Sequence, residues 1–166
     1  VQHYLLGFYG HLAHHLTPGS LTSYEQVTIK GDIVRRYQAD YCVPVQVVTP
    51  QLLRWMLVWE PWGEQNLWVA RAVPDRWFKQ GFAAREIPTK WGALSLDVKP
   101  SAGGFVATLD MPTAHPDMKL CLRLRSGRTL TAGQLKVEGA KDWRWDDRDQ
   151  VLRISGDWKR ISVTAR

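Results

Sequence analysis

Residues 67–98 read LWVARAVPDRWFKQGFAAREIPTKWGALSLDV. A strand-like run leads into a Pro74 turn carrying Trp77, and a second run leads into a turn from Pro88 to Trp91-Gly92. Beyond it, Leu94, Leu96 and Val98 alternate with Ser95 and Asp97. Alternation at every second residue marks a strand with one face buried. Upstream, apolar residues recur at three and four. The stretch is therefore a seam between a helical segment, residues 1–66, and a β-sandwich domain, residues 67–166.

Downstream of the seam the period of two persists. Leu120, Leu122 and Leu124 oppose Cys121, Arg123 and Arg125, and Ile161, Val163 and Ala165 oppose Arg160, Ser162 and Thr164. Strands are expected at 67–72, 82–87, 91–99, 103–111, 118–125, 134–138, 150–155 and 158–165. Gly- and Pro-rich breaks at 100–104, 112–117, 126–127, 139 and 156–157 separate them. Short strands at this spacing predict a mainly-β fold, an antiparallel β-sandwich of about eight strands, with two or three N-terminal helices packed on it. Residues 75–80 add one helical turn that tucks Trp77 and Phe78 under a sheet edge.

Upstream, Val1, Leu5, Phe8, Leu12 and Leu16 fall on one face of a helix over residues 1–16. Residues 32–41 suit a short helix, and 43–48 a strand or extended segment. Thr49 as cap and Pro50 at the first position start a helix over 51–60. Its residues Leu52, Leu53, Trp55, Met56, Leu57, Val58 and Trp59 are apolar nearly all round, which implies burial on most sides. The helical pattern is already running at Val1 without a cap. That implies a chain cut from a longer one, whose exposed helical face would meet the rest of that chain or a second copy.

The 166 residues are 45% hydrophobic and 23% charged, ordinary for a soluble globular chain. The net charge is +6. Its basic residues are scattered, several of them (Arg123, Arg125, Lys136, Arg153) at alternate strand positions that read as a solvated sheet face. The clustered footprint of a nucleic-acid binder is missing. No apolar run approaches the eighteen or so residues of a membrane span, and no signal peptide is visible. Cys42 and Cys121 form no CxxC or zinc spacing. They are two buried thiols or one long-range disulfide, and the compartment, cytoplasmic or secreted, stays open.

Three sets of residues bear on chemistry. His11 and His15 share a helical face as a metal pair would, but position 12 is Leu and no third ligand follows, so no metal or cofactor is expected. Glu25, beside Tyr24, lies near Asp32 and Asp40, with Glu60 further on. Paired carboxyls of this kind perform glycoside hydrolysis as acid and base. The third set is the nine tryptophans, where average usage gives roughly two. Trp55, Trp59, Trp62 and Trp68 gather at the helix-to-sheet junction. Trp143 and Trp145, in DWRWDD, share one strand face and are candidates for stacking on sugar rings. No G-x-S-x-G elbow, P-loop or GxGxxG occurs.

The stretch VARAVPDRWFKQGFAAREIPTKWGALSLDV resembles the C-terminal region of large bacterial six-hairpin, (α/α)-toroid glycosidases, where the last toroid helix gives way to a terminal β-sandwich. Val73, Pro74, Arg76, Trp77, Gly81, Pro88, Thr89, Gly92, Leu94 and Ser95 carry the likeness; Ala72 and Phe78 depart from it. The resemblance implies a bacterial protein acting on plant or microbial glycans, either a glycoside hydrolase or a fragment of one. Glu25 would then be acid or base, Asp40 or Asp32 its partner, and Tyr24 a substrate contact. The alternative is a non-catalytic carbohydrate-binding or structural β-sandwich module with Trp143 and Trp145 as its platform.

Overall fold

A computed structural model of the chain describes residues 1–16, 23, 27–30, 34–37 and 43–166, with 27–30, 34–37 and Val43 described by backbone alone. The chain divides into two compact units, Val1–Trp55 and Met56–Arg166. Glu25, Tyr24, Asp32, Asp40 and Cys42 lie outside the described residues.

In the first unit, helix α1 spans Gln2–His14. Of its expected apolar face, Phe8 is buried, as is Leu16 just beyond the helix. Strands β1, Val27–Lys30, and β2, Val34–Tyr37, pair antiparallel. This corrects the helix expected over 32–41. The β-branched run Val27-Thr28-Ile29 favours a strand, and a four-residue strand needs a partner. Val43–Gln46 is a helical turn, α2, not an extended segment. Gln46 clasps the backbone of Ser23, accepting its N–H at 3.1 Å and donating to its carbonyl at 2.7 Å.

Helix α3, Val48–Leu57, starts earlier than expected and ends three residues short of Glu60. Thr49 lies inside the helix, not at its cap, and its hydroxyl is hydrogen-bonded to His11 Nε2 at 2.8 Å. Nor is the helix buried on most sides: Met56 is buried, but Leu53 is exposed. Tyr4 donates its hydroxyl proton to the Leu52 carbonyl, a second tie between α1 and α3.

His11 also stacks on His15, with ring centroids 5.3 Å apart. Burial, and secondarily His15, push the His11 pKa below the usual histidine value. The folded state then binds fewer protons than the unfolded state, and stability falls as pH drops through about 6.5 toward the depressed pKa. The unfolding midpoint of the first unit should therefore fall between pH 7.5 and pH 5.5. His11→Gln should flatten that dependence, and an equally steep curve in the variant would refute the assignment.

The second unit is the sandwich. One sheet has the order β10-β11-β8-β4-β3 and the other β5-β6-β7-β12-β9. The first comprises β3 (Val58–Trp59), β4 (Asn66–Val69), β8 (Lys119–Arg123), β10 (Asp142–Asp146) and β11 (Val151–Ser155). The second comprises β5 (Phe82–Thr89), β6 (Gly92–Ser101), β7 (Gly104–Asp110), β9 (Leu135–Glu138) and β12 (Arg160–Ala165). Eight of these ten answer to expected strands. The other two are β3, whose residues fall within the helix expected over 51–60, and β10, which carries the strand face expected for Trp143 and Trp145. Because β3 already pairs with β4, the unit begins before residue 67.

The alternation predicted from sequence is the one that packs. Leu94, Leu96 and Val98, Phe105, Ala107 and Leu109, and Ile161, Val163 and Ala165 are buried from the second sheet. Val58, Leu67, Val69, Leu120, Leu122, Leu152 and Ile154 are buried from the first. Each large aliphatic side chain removed from water contributes about 1.5–3 kcal/mol. All pairings are antiparallel except β4 with β8. Between those two strands the chain leaves the first sheet and builds β5, β6 and β7 of the second. Such a crossover is what a parallel pair requires.

At the seam, Pro74 leads helix α4, Asp75–Gln80, and the Gly81 N–H closes it on the Trp77 carbonyl at 2.8 Å. Phe78 is wholly buried, while Trp77 is half-buried against Phe82 at 5.7 Å. Pro88 is not in a turn: it sits in β5, an edge strand, where a missing N–H is tolerated. The hairpin turn is Lys90-Trp91, between the paired Thr89 and Gly92.

Candidate functional site

The connection from β3 to β4 runs Glu60-Pro61-Trp62-Gly63-Glu64-Gln65. The Glu64 N–H reaches back to the Pro61 carbonyl at 3.4 Å, and Gly63 has φ +71°. This is a tight turn with positive φ at its third position, where glycine is favoured. It leaves Trp62 at the apex, 100% exposed. The neighbouring hairpin holds the turn in place. Glu60 Oε1 accepts the Lys90 N–H at 2.7 Å, and the Lys90 ammonium donates to the Glu64 carbonyl. The same ammonium lies 4.1 Å from the centroid of the Trp91 ring. Glu60, Pro61, Trp62, Gly63 and Lys90 line a depression of about 450 Å3. An uncovered indole, a carboxylate and an ammonium thus converge on one open surface.

The outer face of the first sheet carries a different aromatic array. Register aligns Trp59, Trp68, Cys121, Arg153 and Arg144 in one row across five strands. The Arg71 guanidinium lies 5.7 Å from the Trp59 ring and 5.3 Å from the Trp68 ring, and Arg153 lies 5.7 Å from Trp68. These cation–π contacts contribute about 0.5–1 kcal/mol each and cover ring faces that a sugar would need. Arg153 also holds Asp146 at 3.4 Å and donates to Cys121 Sγ at 3.5 Å.

Cys121 is a free thiol, so it is not half of a long-range disulfide. Burial raises its pKa despite Arg153 alongside, which keeps it protonated and unreactive. Asp146 is shifted down, chiefly by the Asp149 N–H and also by Arg153, the opposite direction from a general acid.

Trp143 and Trp145 do share one strand face, and their partners are Ile154 and Leu152. Those partners are buried, so the pair faces the interior side of an edge strand and is itself half-buried. The Trp145 indole donates to the Leu130 carbonyl at 3.2 Å. The charged alternates Asp142, Arg144 and Asp146 take the outer face. Glu25, Asp32, Asp40 and Tyr24 lie outside the described residues, and of the expected carboxylates only Glu60 is placed. Among the described residues no group of three or more His, Cys, Asp or Glu could hold a metal ion. No helix among them is long and apolar enough to cross a membrane.

Trp62 was visible in sequence only as one member of the junction cluster. The signal that separates it is the Pro-Trp-Gly order, which puts a tryptophan at the apex of a turn. Comparison with family models, curated proteins and solved structures finds no match for this chain.

Proposed function

We propose that the sandwich unit is a non-catalytic carbohydrate-binding module that seats a sugar ring on Trp62. The observation that carries the reading is a fully exposed indole on a turn fixed from two sides. A pyranose presents C–H groups on one face and hydroxyls at its rim. An open aromatic face accepts the first, and polar groups beside it accept or donate to the second. Lys90 and Glu60 supply such groups within the same depression. The resemblance of the seam to the sandwich of six-hairpin glycosidases fits a module that accompanies a helical catalytic body.

Titration of the intact chain with xylo-, cello- and malto-oligosaccharides, read by tryptophan fluorescence and calorimetry, tests this. Trp62→Ala should weaken binding by about tenfold or more, the equivalent of about 1.4 kcal/mol or more. Its unfolding midpoint should stay that of the wild type, since the side chain touches no core. Unchanged affinity in the variant would sink the assignment. Turnover of aryl-glycosides by the wild type, abolished in Glu25→Gln, would replace a binding module with a hydrolase.

A further inference from the structure

Where the chain leaves β8, next to the hairpin joining β10 to β11, a depression of about 370 Å3 gathers four arginines, Arg123, Arg125, Arg128 and Arg148, against two aspartates, Asp75 and Asp149. We propose that this depression is an oxyanion-binding site, taking the sulfate, phosphate or carboxylate group of a ligand. Arg125 Nη1 is buried and has no hydrogen-bond partner. Four guanidinium groups against two carboxylates leave a surplus of positive charge around the depression, and an oxyanion meets such a surplus with charge-assisted, forked geometry. The sequence pattern reads Arg123 and Arg125 as solvated strand residues; both are instead half-buried.

The charges around the depression are also frustrated without an anion. Arg123 is destabilised as a cation, first by burial and then by Arg125, with Asp149 opposing. An anion between the two guanidinium groups removes that repulsion. Arg128 and the neighbouring loop are held by their own hydrogen bonds. Arg128 donates to the Gly103 carbonyl at 3.1 Å. The Gln150 amide is engaged with both the N–H and the carbonyl of Leu130. The site shares no residue with the Trp62 corner, so it stands or falls apart from the carbohydrate reading.

Calorimetric titration of the intact chain with inorganic sulfate, inorganic phosphate and trigalacturonate, at ionic strength held constant with chloride, reads the site directly. Saturable binding of at least one probe is expected, weakened by about tenfold in Arg125→Gln and in Arg148→Gln. Arg148 is exposed, so its variant serves where Arg125→Gln fails to fold. Binding of sulfate or phosphate alone identifies a tetrahedral anion as the ligand group. Tighter binding of trigalacturonate identifies an acidic glycan. Binding of none of the three, or equal binding by the wild type and Arg148→Gln, overturns the proposal.

Discussion

Phe78→Ala is expected to destabilise the sandwich by about 3–5 kcal/mol, a large share of the 5–15 kcal/mol that holds a domain of this kind together. Phe78 is 0% exposed and sits on a short helix that has little intrinsic stability of its own. What fixes the helix is this ring. It meets Phe82 edge-on at 5.5 Å and Phe105 at 4.9 Å, joining α4 to β5 and β7 of the second sheet. Alanine removes both aromatic contacts and leaves a cavity that two sheet-bound rings cannot collapse to fill. Urea unfolding followed by tryptophan fluorescence should show a much lower midpoint with an unchanged slope. Trp77→Ala, on the same helix but half-buried, should cost clearly less. A loss below about 1 kcal/mol for Phe78→Ala would mean that the helix is held by other contacts.

The same helix shows what was legible in the sequence. A proline followed by an aromatic pair between two alternating runs is enough to predict a turn tucked under a sheet, because proline fixes the entry and the aromatics need burial. Alternation likewise identifies the inner faces of β6, β8 and β12, since a one-residue error would turn Leu94, Leu96 and Val98 to solvent.

What alternation cannot give is which side of a strand faces in when both sides carry credible side chains. In DWRWDD, two tryptophans alternate with Asp142, Arg144 and Asp146. The face is chosen by the partner strand, where Leu152 and Ile154 stand opposite the tryptophans and Arg153 stands opposite Arg144. The sugar platform expected at Trp143 and Trp145 thus depended on a cross-strand register that no local window contains. Short segments depend on distant neighbours in the same way. Val58–Trp59 continues a helical pattern in sequence and becomes a strand only because Trp68 and Val69 lie alongside. Trp62, by contrast, is open to a local argument, because a Pro-x-Gly sequence favours a tight turn and such connections run over the surface.

The β6–β7 hairpin separates two ways in which a backbone demands glycine. Gly103 has φ +82° but nothing within 4 Å of where a Cβ would stand. Gly104 needs no positive φ, yet a Cβ there would lie 1.9 Å from the Ala165 carbonyl oxygen and 2.8 Å from its carbon. That backbone cannot yield cheaply. Ala165 is in register with Phe105 on β7 and with Leu135 on β9, and Arg166 donates its N–H to the Gln134 carbonyl at 3.1 Å while accepting from the Gln134 side chain at 2.9 Å. Moving it away breaks pairing on both sides of β12. Gly104→Ala should therefore destabilise the unit by about 2–4 kcal/mol, the sum of overpacking and lost ladder hydrogen bonds. Gly103→Ala should cost about 1 kcal/mol, the conformational strain alone. Urea midpoints of the two single variants decide the matter: if Gly103→Ala were the more damaging, close approach of β12 would not be what keeps position 104 bare.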